Sequence, residues 1–501
     1  MMRTVGTGVV ATALLVLLGS CSATPSGGNE EGSGGSSGHA GSGPGSGDGG
    51  PSNANGAGGV SAEGGTGTGE DSGSDAGAGG EGGPVLPQVE NNGGGILTAP
   101  DVVTITYDAS LYANVAPGQA ATLIADLQAF DDGIMSTTWW TTVTADYCGM
   151  TGCVGQAGTH VSIPTEPPGD GTSTCGTQPC YTDSAIGGTA SLKTYLSGLF
   201  ADGTLPAPTA QTLYVLFMPM SVTINVDGEV SCMSIGGYHD SLTVGALDVP
   251  YAIVPICDPE ATASSNIPRL TIEQTATLAA SHEIVEATTD PHGGEAPPGG
   301  SSSSNQYLGW YLTDVANQAW TFFQGGEVAD LCVDVFGLAQ DRWAEGNYIY
   351  QRVWSNSNAA ANRDPCVPIP AGEVYFNAGP TAVQSEEIQL AVGATGGYAV
   401  AAFSDGPLSG WAVGGFDPAV NAQNMPLGIL SFMPASQTPL LVGNGSSFTL
   451  NITLDQPPPT QPRVSAGSPP FEPYMILSYV PTDGGNPTAA HFWPGIVLGP
   501  Q

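Results

Sequence analysis

Ser281-His-Glu-Ile-Val-Glu-Ala-Thr-Thr-Asp-Pro291 reads as the last turns of a helix, and the rest of the chain is organised around it. Thr271 with Gln274 three residues on is a capping-box pattern, Pro268 lies just upstream, and Pro291 lacks the N–H needed to continue the ladder. Between these ends Ala276, Leu278, Ala279 and Ala280 favour or tolerate helix. On such a helix His282 and Glu286 stand at i and i+4, about one turn apart on one face and near enough to share a cation, with Glu283 on the flank.

The pattern His-Glu-x-x-Glu differs at one position from the His-Glu-x-x-His of zinc peptidases, where two imidazoles hold the metal and the intervening glutamate is the general base. Carboxylate oxygen also binds zinc, so His282 and Glu286 are expected as metal ligands and Glu283 as the catalytic base. For so short a pattern the plainer alternative is a capped, partly exposed helix with no ion.

The 501 residues allow two or three domains. Against 45 Asp and Glu stand 7 Lys and Arg, a formal charge of -38, and Lys193 is the single lysine; the basic surface that nucleic-acid binding needs is missing. Divalent cations or basic ligands suit the charge better, although strong acidity also serves solubility. At the start, Arg3 precedes the apolar run from Val9 to Leu18, followed by Gly19-Ser20-Cys21. Residues 1–21 resemble a bacterial lipoprotein signal peptide with Cys21 as the acylated residue, the alternative being an ordinary secretory signal. The expectation is an exported outer-membrane or cell-surface lipoprotein held by lipid alone, since no other apolar run is long enough to span a bilayer.

Setting Cys21 aside from the 9 cysteines leaves Cys148, Cys153, Cys175, Cys180, Cys232, Cys257, Cys332 and Cys366. An even set in an oxidising compartment reads as four disulfides, with on the order of a hundred connectivities open. Proximity favours Cys148 with Cys153 and Cys175 with Cys180, leaving Cys232 with Cys257 and Cys332 with Cys366. A cysteine-rich zinc site is the rival, and no Cys-x-x-Cys pair supports it.

Residues 22–95, rich in Gly, Ser, Ala and acidic residues, lack the apolar content to fold and read as a flexible tether with a mean span on the order of 50 Å. A first folded domain is expected over 96–370, α+β in class, with strands at Val102–Tyr107, Thr212–Met218 and Pro250–Cys257, a helix over Gln119–Phe130, and a hairpin from Ser221 to Met233. A Gly, Pro and Ser loop over 292–305 reads as mobile or lid-like. Residues 371–501 carry no cysteine and alternate apolar segments with turn residues, predicting a small β-sandwich with strands at 372–376, 388–392, 397–403, 448–454 and 474–479.

Six segments in order carry a resemblance: Ser136 to Thr142 with Trp139-Trp140, Cys232 to His239, His282 to Pro291, Trp310-Tyr311, Glu327 to Cys332, and Gln351 to Trp354 with Cys366. Together they resemble the EXORDIUM, or phosphate-induced, family of plant secreted proteins and their bacterial relatives. The resemblance covers most of residues 100–370 and implies a secreted, disulfide-containing domain with an extracellular or cell-wall role, but no defined reaction. A zincin-like domain would need a third ligand. Glu327 or Asp330 is expected first, both on the family motif, and His239 second; for the two carboxylates the alternative is a structural turn beside a disulfide. His292 stands where a metzincin-type third histidine would, but Thr289 replaces the expected glycine.

A carboxylate-rich set of Glu283, Glu286, Asp290, Glu327 and Asp330 suits calcium as well as zinc. Nucleophilic catalysis has little support without a Gly-x-Ser-x-Gly elbow. Trp139 and Trp140 read as core or sugar-stacking aromatics, and His160 and His491 as incidental. The expected function is a zinc metallopeptidase-like hydrolase, acting as a monomer on an extracellular peptide or polysaccharide. The rival is a non-enzymatic surface-binding protein whose helix is structural or calcium-bound.

Overall fold

The computed structural model describes residues 83–500 apart from 115–117, 150–151, 170–178, 184–190, 227–228, 259–268, 293–306, 382–386, 421–424, 459–469 and 483–486. The signal-like segment, Cys21, most of the tether, Cys175 and the expected lid loop from 293 onward lie outside these residues.

The fold is mixed α/β with many strands. In chain order the first part runs β1 (Asp101–Tyr107), α1 (Ala120–Ile134), α2 (Thr138–Cys148), β2 (Gln156–Ile163), α3 (Ser191–Ala201), β3 (Thr212–Met218), β4 (Tyr238–Val244), β5 (Leu247–Pro255) and α4 (Ile272–Thr289). The five strands form one sheet in the order β2-β1-β3-β5-β4. All neighbours are parallel except the β4–β5 pair, which is antiparallel at the edge. Helices alternate with the parallel strands rather than being segregated from an antiparallel sheet, so this part is closer to α/β than to the expected α+β. β3, Thr-Leu-Tyr-Val-Leu-Phe-Met, is buried at every residue, as a central strand covered on both faces must be.

Helix α4 begins as its sequence predicts: Thr271 and Gln274 form a reciprocal capping box, and the helix ends at Thr289 before Pro291. Its first turns, Ile272 to Thr275 with Leu278 and Ala279, are partly exposed. From Ala280 to Asp290 every residue is buried, because the helix lies between the sheet and a hairpin made by Arg342–Glu345 and Tyr348–Gln351. Ile284, Val285 and Ala287 supply apolar burial there, with each large side chain contributing about 1.5–3 kcal/mol. The same burial encloses His282, Glu283 and Glu286, whose charged forms are costly away from water.

The expected tether ends too late. Leu86 and Val89 are buried, and Glu90–Asn91 pair with Trp310–Tyr311 as a short antiparallel ladder. A few apolar residues among Gly and Pro suffice to dock a segment that composition alone assigns to the linker.

Beyond residue 375 a four-stranded sheet (Phe376–Pro380, Thr395–Ser404, Ser447–Leu454, Leu430–Met433) packs against a five-stranded one (Glu387–Gln389, Ala490–Leu498, Phe471–Tyr479, Trp411–Phe416, Leu440–Val442). Phe376 of the first meets Trp411 of the second with ring centroids 5.5 Å apart. The strand expected at 372–376 starts only at Phe376, because Gly372 (φ 82°) turns the chain. These sheets belong to the same compact unit as the central sheet. The joint is aromatic: Trp320 stacks on Phe492 at 5.9 Å and meets Trp354 and Trp493 edge-on.

Disulfides join Cys148 to Cys153, Cys232 to Cys257, and Cys332 to Cys366. Among the described residues, no helix is long and apolar enough to cross a membrane.

Candidate metal centre

Three elements meet at the site. Helix α4 contributes His282, Glu283 and Glu286; edge strand β4 contributes His239; the segment after Gln318–Gln324 contributes Glu327 and Asp330. All six side chains are buried, with Glu286 and Asp330 at 0% exposure and His239 and His282 at 6%. The i, i+4 spacing places His282 Nε2 2.9 Å from Glu286 Oε2, and Asp330 Oδ1 lies 3.5 Å from the same nitrogen. On the other side of Glu286, His239 Nδ1 lies 3.7 Å from its Oε2 and 3.6 Å from Glu283 Oε2.

Two sets of ligand atoms are thereby close enough to hold an ion: His282, Glu286 and Asp330, and His239, Glu283 and Glu286. Of the expected third ligands, Asp330 joins the His282 set and His239 joins the other. Glu327 belongs to neither set: its Oε1 lies 3.3 Å from His239 Nε2, the nitrogen on the far side of the ring.

Gln351 fixes the orientation of His282. Its amide Nε2 donates to Ala329 O at 2.8 Å, so its Oε1 is the atom 2.9 Å from His282 Nδ1. His282 therefore donates from Nδ1 and turns Nε2 toward Glu286 and Asp330. Gln351 is itself held, its backbone N–H donating to Ser281 Oγ at 2.8 Å and its carbonyl accepting from Trp139 Nε1 at 2.6 Å. Trp139 and Trp140 are thus core residues, Trp140 Nε1 donating to Cys153 O. Sequence reasoning quoted Gln351 within a motif and gave it no role.

Glu286 is anchored through one oxygen. Its Oε1 accepts the backbone N–H groups of Ala329 (3.2 Å) and Asp330 (2.9 Å), which leaves Oε2 facing both imidazoles with no hydrogen bond to occupy it. His282 Nε2, His239 Nδ1 and both Asp330 carboxylate oxygens are likewise buried without hydrogen-bond partners. Buried polar atoms are normally satisfied, and these groups are arranged so that they could hold a cation.

Two glycines make room for these carboxylates. A Cβ on Gly237 would stand 2.7 Å from Glu283 Oε1, and one on Gly325 would collide with the Asp330 carboxylate. Gly325 also sits at φ 79°, ψ -149°, a region that side-chain-bearing residues avoid.

The electrostatics follow from burying more carboxylates than cations. Burial pushes the Asp330 carboxyl well above its ordinary range, with Glu286 adding to the shift. Burial likewise raises Glu327 to about 8 and Asp290 to about 6. Burial disfavours charge on the imidazoles, yet Glu327 beside His239 and Glu286 beside His282 outweigh it and raise both well above the usual histidine value. Glu286 is lowered despite its burial, because His282 and His239 flank it. The cluster attracts positive charge, whether proton or metal.

The other histidines among the described residues stand apart. His292 Nδ1 faces Asp248 at 3.2 Å, His160 pairs with Asp132, and His491 packs between the Tyr375 and Phe376 rings. Asp290, included in the calcium-type set, accepts the Gly309 N–H at 2.9 Å and offers its backbone carbonyl to His239 Nε2 at 3.0 Å. Compared with protein-family models and with curated proteins, the sequence matches none of them.

Proposed function

We propose that the protein is a metal-dependent hydrolase of extracellular peptide or cell-wall polymer, carried on an EXORDIUM-like, zincin-like domain and tethered to the cell surface through Cys21. The observation that carries this reading is the buried triad of His282 Nε2, Glu286 Oε2 and Asp330 Oδ1, close enough together to hold one ion. Imidazole nitrogen beside carboxylate oxygen suits zinc, manganese or iron, and zinc is the first choice; calcium, which takes oxygen ligands, fits less well. When bound, such an ion polarises a scissile carbonyl and lowers the pKa of water. His282, Glu286 and Asp330 would hold it, Gln351 fixes the His282 ring, and Glu283 would be the proton acceptor on the flank. An edge strand beside the metal helix gives an extended polymer segment a place to lie.

The rival is a binding protein with a structural metal, favoured by one observation: the triad is closed, with Glu286 and Asp330 fully buried. Turnover separates the two. On fluorogenic peptide libraries and labelled cell-wall glycans, Glu283→Gln should abolish cleavage while an ion remains at His282. Wild-type protein that is folded and metal-loaded yet cleaves neither class would sink the hydrolase and leave the structural metal.

A further inference from the structure

We propose that the centre holds two metal ions, with Glu286 Oε2 bridging them. This rests on the metal-site reading above and extends it from one ion to two.

Three observations carry it. The two ligand sets share Glu286 and no other residue, one holding His282 and the other His239. The single bridging atom is specified, because Ala329 and Asp330 N–H groups occupy Glu286 Oε1 and leave Oε2 between the imidazoles, 2.9 Å from His282 Nε2 and 3.7 Å from His239 Nδ1.

The third observation is the matched orientation of the rings. His282 gives its far nitrogen to Gln351 Oε1, and His239 gives its far nitrogen to the Asp290 carbonyl at 3.0 Å with Glu327 Oε1 at 3.3 Å. Each imidazole is therefore oriented with its near nitrogen toward Glu286. Holding the far N–H on a carbonyl or carboxylate is how proteins prepare a histidine for a metal.

In the two-ion centre Glu283 is a ligand of the His239 ion, so its substitution costs that ion as well as turnover.

The test is metal stoichiometry of the full chain, purified without chelator and titrated with manganese or zinc, followed by electron paramagnetic resonance of the manganese form. The expected result is two ions per chain with a spin-coupled manganese pair. His239→Ala should lower the stoichiometry to one and abolish the coupling; His239→Gln serves if the alanine variant melts early. Saturation at one ion, lost on His282→Ala, overturns the second ion and leaves the single-metal reading standing. Two uncoupled ions indifferent to His239 overturn the bridge. A folded chain that takes up no ion overturns both readings.

Discussion

Replacing Gln351 by leucine removes the residue that aims His282 without touching any proposed ligand. Two hydrogen bonds are lost, from His282 Nδ1 to Gln351 Oε1 and from Gln351 Nε2 to Ala329 O. Each leaves a buried polar group without its partner at about 1–3 kcal/mol, so a stability loss of roughly 2–6 kcal/mol is expected by denaturant unfolding. Freed of its acceptor, the ring can rotate or change tautomer, and ion affinity should fall about 10–100-fold, or roughly 1.4–2.7 kcal/mol. Gln351→Glu is the control. It keeps an acceptor for His282 Nδ1 but cannot donate to Ala329 O, so it should lose stability while holding the ion far better than leucine does. The assay is chelator competition for zinc alongside urea unfolding. If folded Gln351→Leu binds zinc as tightly as wild type, or if both variants weaken binding equally, Gln351 does not orient the ligand.

Further expectations follow from the same structure. Gly325→Ala forces a side chain into a strained backbone region, at about 1–3 kcal/mol, and drives a Cβ into Asp330; ion affinity should fall at least about tenfold, and unchanged affinity would contradict the placement of Asp330. Asp131 is buried with Oδ2 accepting from Thr104 Oγ1 at 2.7 Å, and burial raises its carboxyl from 3.8 to about 8. The native state keeps the proton that the unfolded chain releases near pH 4, so this stabilisation is complete at low pH and is lost as pH rises through about 8. Urea unfolding from pH 5 to 8.5 should therefore show a flatter profile for Asp131→Asn than for wild type; equal slopes would contradict the buried proton. Replacing Cys332 and Cys366 together by serine opens a bridge spanning 34 residues and should cost about 3–4 kcal/mol in a non-reducing denaturation series, an unchanged midpoint being the contrary result.

The sequence made the helix at the centre legible because helical geometry is local. Thr271, Gln274 and Pro291 set its ends, and the spacing of His282 and Glu286 fixed them on one face. The ordered motifs also brought His239, Glu327 and Asp330 into consideration. What they could not give was which side of the His239 ring each carboxylate approaches, since that is set only in the folded chain. Gln351 escaped notice because an amide carries no charge and its task is set by Ala329 and His282, far off in sequence. In the C-terminal part, Trp411–Phe416 and Ala490–Leu498 went unread as strands. Gly414-Gly415 and Pro494-Gly495 interrupt their apolar runs with residues that ordinarily end a strand, yet both segments lie inside the five-stranded sheet.

The most direct measurement is elemental analysis of the full chain, purified without chelator or affinity metal, beside His282→Ala. A first-row transition metal, zinc foremost, should accompany the wild-type protein and be depleted in the variant. A folded wild type that binds no zinc, manganese or iron even when each is supplied in excess would contradict a metal centre at His282, Glu286 and Asp330.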